Sequence, residues 1–157
     1  MATKKSKLNH PTHPRKGLLL SLAVVPLGVA AWLFLWQFGF IASVVAWGIA
    51  AGAVWLYSYG AKGQVTKPVL PWLLVIILIA ILVAFVSGLV SDLWNGYTTE
   101  LDGEQGFWSS EFWTFVWDNL TYPDFISQYI PDFLISLAFA ALGAGGIVYG
   151  LFKQPTK

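Results

Sequence analysis

The sequence predicts an all-α membrane protein with four transmembrane helices and both termini in the cytoplasm. A short aromatic amphipathic helix is expected outside the membrane, between spans three and four. Three observations predict this. Hydrophobic residues make up 57% of the chain and charged residues only 11%, against roughly 25% charged in an ordinary soluble domain. There is too little polar surface to wrap a water-facing globule. The apolar residues gather into runs long enough to cross a hydrocarbon core of about 30 Å. Finally, the charges are sorted by sign along the chain.

Residues 1–16 (MATKKSKLNHPTHPRK) are basic, interrupted by Pro11 and Pro14, and lack apolar periodicity. They are expected to be a disordered cytoplasmic tail. From Gly17 to Gly60 there is no charged residue. A single helix of that length would run about 66 Å, far more than a bilayer core needs. Two spans joined at Gln37-Phe38-Gly39 fit instead, at about 17–36 and 40–59. Pro26 supplies no N–H to the carbonyl of Leu22, so a kink is expected in span one. A signal peptide cleaved near Val29-x-Ala31 is the rival reading. Against it, cleavage would expose another long apolar run rather than a polar start.

Gly60–Pro68 is a polar loop, and span three covers about 69–91 with Asp92 at its end. Pro71 suits a first helical turn. Residues 92–130 are acidic, aromatic and rich in turn residues, and Asn95-Gly96 and Asp102-Gly103 read as turns. Within this segment 107–120 (FWSSEFWTFVWDNL) reads as a short helix with Trp108, Phe112 and Phe115 on one face. Span four covers about 131–152, with Pro131 and Asp132 placed to open it. Residues 153–157 form a short cytoplasmic tail, and 17–152 make one transmembrane domain.

Orientation follows from the charges. Lys4, Lys5, Lys7, Arg15 and Lys16 lie in the tail, Lys62 and Lys67 in the Gly60–Pro68 loop, and Lys153 and Lys157 at the C-terminus. Four spans put these three places on one side, which the positive-inside rule makes cytoplasmic. All eight acidic residues lie between Asp92 and Asp132, with no Lys or Arg among them. Trp32, Trp36, Trp55, Trp72 and Trp94 fall near span ends, where interfacial aromatics belong. Trp47 alone falls well inside and reads as a packing residue.

Helix association in lipid rests on close approach, so small residues mark contact faces. Gly48 and Gly52 in span two, and Gly146 and Gly150 in span four, form GxxxG pairs flanked by further Ala and Gly. Spans two and four are expected to touch through these faces. Span three reads as the most lipid-exposed.

The chain has no cysteine, which excludes disulfides, thiolate catalysis and thiolate-held metal. No span contains His, and ionisable groups stand only at span ends. Intramembrane haem ligation, pumping and hydrolysis are therefore not expected. His10-Pro-Thr-His13 reads as part of a solvated basic tail rather than a metal site. Aligning Gly103 as an EF-hand glycine puts Thr98 and Ser109 where carboxylates are needed, so that pattern fails too. Asn119-Leu-Thr121 has the form of a glycosylation acceptor, a match frequent by chance. The expectation is a non-enzyme with no cofactor and no metal.

The aromatic run is the most unusual local feature. Trp108, Phe112, Trp113, Phe115 and Trp117 are read as a surface lying in the outer headgroup layer or docking a membrane partner. The segment PLGVAAWLFLWQFGFIASVVAWGIAAGAVWLY (26–57), with the following basic loop and span, resembles a hairpin of small, uncharacterised multi-pass bacterial membrane proteins. The resemblance covers roughly residues 17–91 and implies a bacterial plasma (inner) membrane, with no functional residue carried over. The expected function is a non-enzymatic accessory or scaffold subunit of a bacterial membrane assembly. The alternative is a small oligomeric transporter or channel component. The expected partners are the bilayer and either a larger membrane complex or further copies of the chain, not nucleic acid.

Overall fold

A computed structural model describes residues 13–37, 43–100 and 106–152. Among these residues every regular element is helical: α1 (Pro14–Ser21), α2 (Val24–Gln37), α3 (Ser43–Ala61), α4 (Leu70–Glu100), α5 (Ser110–Thr121) and α6 (Pro123–Phe152). Four stretches are long and apolar enough to cross a membrane: α1 with α2, then α3, α4 and α6. This is the arrangement of a multi-pass membrane protein. The residues before His13, Phe38 and Gly39 of the expected first turn, Asp102-Gly103 and residues 153–157 lie outside the described residues.

Span one is broken at Leu22–Ala23, just ahead of Pro26. Pro26 sits in the first turn of α2, where a missing N–H costs little. The break is bridged by tight i→i+3 bonds from Leu22 N–H to Leu19, Ala23 N–H to Leu20 and Val25 N–H to Leu22. It lets one span serve two neighbours. α1 packs on α3, and α2 packs mainly on α4. His13 N–H donates to the carbonyl of Ala61, tying the start of α1 to the end of α3. α3 ends in a left-handed residue, Lys62 (φ 50°), and Gly63 N–H closes back on Ser58.

α4 runs past Asp92 to Glu100, about 47 Å at 1.5 Å per residue. Asn95-Gly96 is therefore helix, not turn. Leu93 and Tyr97 flank that pair and pack against α5, and Thr98 and Thr99 bond back to carbonyls of Trp94 and Asn95. Tertiary packing outweighs the local turn preference of Asn-Gly here. α6 likewise begins earlier than expected, at Pro123, with Asp124 in its first turn. The triplet Pro-Asp-Phe occurs twice, at 123–125 and 131–133, and the Pro-Asp start signal acts in the first copy. The second copy leaves Pro131 inside the helix, where it supplies no N–H to Ser127.

α3 is central, touching α1, α2, α4 and α6. Its buried face is made of Ala46, Ala50, Ala53 and Tyr57. Span three is not the most exposed: 44% of its most apolar stretch is buried, against 11% for span four. The reason is a stripe of small residues in α4, Ala80, Ala84 and Gly88, which lets its neighbours approach. Trp47 is half-exposed rather than a packing residue, and it is its backbone that meets α6.

Candidate functional site

The acidic end of the bundle is assembled from the last turns of α4, the whole of α5 and the first turns of α6. α5 starts at Ser109, whose hydroxyl accepts from Phe112 N–H at 3.2 Å, with Glu111 in the first turn. Phe112 and Val116 are buried one turn apart and face Leu93. Trp94 meets Phe112 edge to face at 5.0 Å, and Tyr97 meets Phe112 and Phe115 at 5.4 and 5.6 Å. The aromatic run thus divides. Phe112 is internal and Phe115 half-buried, while Trp108 (86% exposed), Trp113 (41%) and Trp117 (68%) face outward.

Asp92 stands beneath this cluster on a different side of α4. Its Oδ1 accepts from the indole N–H of Trp36 at 2.7 Å, and its Oδ2 from the phenol of Tyr129 at 3.5 Å. One carboxylate therefore joins the end of α2 to the start of α6. Trp36 stacks on Trp32, Trp32 meets Phe85 edge to face, and Phe85 leans on Phe133. A continuous aromatic column links three helices, α2, α4 and α6, below the carboxylate.

The small-residue faces are also divided. α3 and α6 do pack, but at Gly143, where a methyl group would stand 2.7 Å from the carbonyl oxygen of Trp47 and 3.0 Å from Ala50 Cβ. Ala140 and Ala144 are buried beside it. A methyl at Gly48 or at Gly146 would touch nothing within 4 Å, and one at Gly52 would meet only Val24 at 3.5 Å. Gly150 lies in α6, and its surroundings lie outside the described residues. Gly48 and Gly52 instead line an open groove of about 360 Å³ between α2 and α3, with Gly28, Ile49, Val24 and Trp55 around them.

A second groove, of about 470 Å³, lies at the acidic end between α2, α4 and α5. Its α4 wall is Val86, Ser87, Val90, Ser91 and Trp94, and Leu33, Phe107 and Trp113 complete it. Ser87, Val90, Ser91 and Trp94 repeat at helical spacing, the signal by which the sequence could have located this face. Ser87 of this wall donates to the carbonyl of Val83, and Ser21 and Ser136 likewise donate to Leu18 and Asp132 within their own helices, each at 2.7 Å. Asn119 and Thr121 of the glycosylation-like triplet bond to Phe115 and Trp117 inside α5.

No protein-family model, no curated protein and no solved structure matches the chain.

Proposed function

We propose that the chain is a non-enzymatic accessory subunit of a bacterial membrane assembly, set in the plasma membrane with both termini cytoplasmic. One observation carries the reading. After the bundle has packed, the Gly48–Gly52 face is left at the floor of an open apolar groove. A glycine floor lets a partner helix approach backbone to backbone, which is what drives association where water offers no hydrophobic force. The exposed tryptophans of α5 give the same partner a second point of contact outside the membrane. Asp92 is engaged in joining helices, and the serines Ser21, Ser87 and Ser136 bond to their own backbones. These four polar groups are thus used for structure.

Two measurements test the two halves. Copurification of the full chain from its host in a mild detergent is expected to recover a stoichiometric larger membrane protein. Gly48→Leu is expected to lose it while keeping helix content and monomer stability. A lone chain, or selective ion flux after reconstitution into liposomes, would overturn the accessory reading in favour of an oligomeric channel component. For orientation, the absence of cysteine allows single-cysteine labelling. In intact cells an impermeant maleimide is expected to label Trp117→Cys at once, and Lys62→Cys only after permeabilisation. The reverse order would sink the assignment.

A further inference from the structure

The second groove has a gradient along its length. Val86 to Trp94 covers about 12 Å of helix at 1.5 Å per residue. Its lower part is aliphatic, with Val86, Val90 and Leu33. Its upper part carries the Ser91 hydroxyl and the rings of Trp94, Phe107 and Trp113. Phe107 lies 5.5 Å from Trp94 with planes 71° apart, and 5.5 Å from Trp113 with planes 80° apart. Successive rings turned nearly at right angles offer a guest cation aromatic faces in more than one direction. The charges of the surrounding sequence are one-signed. Every Asp and Glu of the chain lies between Asp92 and Asp132, and no Lys or Arg occurs between Lys67 and Lys153.

We propose that this groove binds one bilayer phospholipid whose headgroup carries an ammonium, with its acyl chain along the Val86–Val90 wall. Aromatic faces attract alkylammonium groups, and more strongly once water is displaced. The carboxylate-rich segment adds attraction for the cation and repels an anionic headgroup. The amphiphile fits better than a soluble cation because half of the wall is aliphatic, and better than a protein segment because apolar, polar and cationic needs follow one another along a single axis. The inference rests on the membrane setting proposed above and is independent of the accessory role.

The test uses the full chain, purified in detergent, stripped of lipid and titrated in native mass spectrometry. The probes are phospholipids of identical acyl chains with ethanolamine, choline or glycerol headgroups. The first adduct is expected to form about tenfold more tightly with ethanolamine and choline than with glycerol, the ratio that a modest cation–π attraction gives. Trp113→Leu keeps apolar bulk but removes the ring, and is expected to bring the ratio within about twofold, whereas Trp113→Phe keeps it. Trp117→Ala, outside the groove, is expected to leave it unchanged. Equal affinities, tighter glycerol binding, or a preference that survives Trp113→Leu would overturn the proposal. If Trp113→Leu fails to fold, the headgroup series on the unaltered chain decides alone. A headgroup preference without any copurifying protein would uphold this site and sink the accessory reading, so the two fail separately.

Discussion

The middle of the bundle and its acidic end hold helices together by opposite means. In the middle, α3 meets α6 most closely at small residues, Ala50, Ala140, Gly143 and Ala144. At the acidic end, α4 meets α5 through Leu93, Trp94, Tyr97, Phe112 and Val116, large side chains that interlock. The difference follows from the solvent each region is suited to. Where lipid surrounds a helix, burying another ring gains little, and close backbone approach supplies the dispersion contact. Where water is near, removing large rings from it is the main driving force. The same contrast governs polar atoms. Trp36 and Tyr129 at the acidic end both donate to Asp92, whereas the indole N–H of Trp32 and the hydroxyl of Tyr57 are buried with no partner.

The largest effect is expected at Gly143. A side chain there must displace the Trp47 backbone, which has no rotamer to change. Gly143→Leu is expected to cost at least about 3 kcal/mol, the upper range for overpacking. Gly146→Leu, one turn on and facing open space, is expected to fall within about 0.5 kcal/mol of the parent as a surface change does. Thermal unfolding followed by circular dichroism in one detergent compares them. Equal losses would mean that the small-residue contact is not where the middle is held.

Phe112→Ala tests the other side of the contrast. The ring is fully buried and touches Trp94, Tyr97 and Phe107. Its loss is expected to cost about 3 kcal/mol, the low end for buried phenylalanine. The loss should be local, because this cluster is separate from the main core. Chymotrypsin is expected to cut α5 readily in the variant while α3 and α4 stay protected. Simultaneous loss of all helices would show that the two regions are one cooperative unit.

Much of the middle was legible in the sequence, and much of the acidic end was not. Four apolar runs separated by polar or glycine breaks need only hydropathy to be seen, and Pro26 marks the broken span because its missing N–H acts locally. The contacts were harder. Gly48 and Gly146 make the more conspicuous pattern, yet Gly143 is the one under a neighbour. Which small face is used depends on the rotation of each helix, and that is set by partners far off in sequence. The Ala80–Ala84–Gly88 stripe was hidden by the bulky residues between its members. At the acidic end, Asn95-Gly96 and the second PDF copy carry strong local signals that packing overrules. A local preference worth about 1 kcal/mol for a glycine in a helix loses to the burial of Leu93 and Phe112 against one another.

A third contrast turns on hydrogen bonds. Asp92→Ala removes the acceptor for Trp36 and Tyr129 at once. The expected cost is about 2 kcal/mol, the middle of the range for bonds to a charged group. The red shift of Trp36 emission should follow, since the indole then turns toward solvent. A variant as stable as the parent would mean that the carboxylate only decorates the junction.

The smallest effect is expected at Tyr57, and its sign is the informative part. The ring is wholly buried against α1, where Gly17 lies over it, and its hydroxyl has no partner. An unpaired buried hydroxyl costs on the order of 1–3 kcal/mol of desolvation, and replacing it with hydrogen keeps the ring contacts. Tyr57→Phe is therefore expected to raise stability by about 1 kcal/mol, a few degrees in midpoint for a chain of this size. The paired change Tyr129→Phe, at the end where the phenol has a carboxylate, is expected to lower it. If both substitutions destabilise alike, the Tyr57 hydroxyl is satisfied by a water or lipid atom, and the junction of α1 with the end of α3 is wetter than its packing implies.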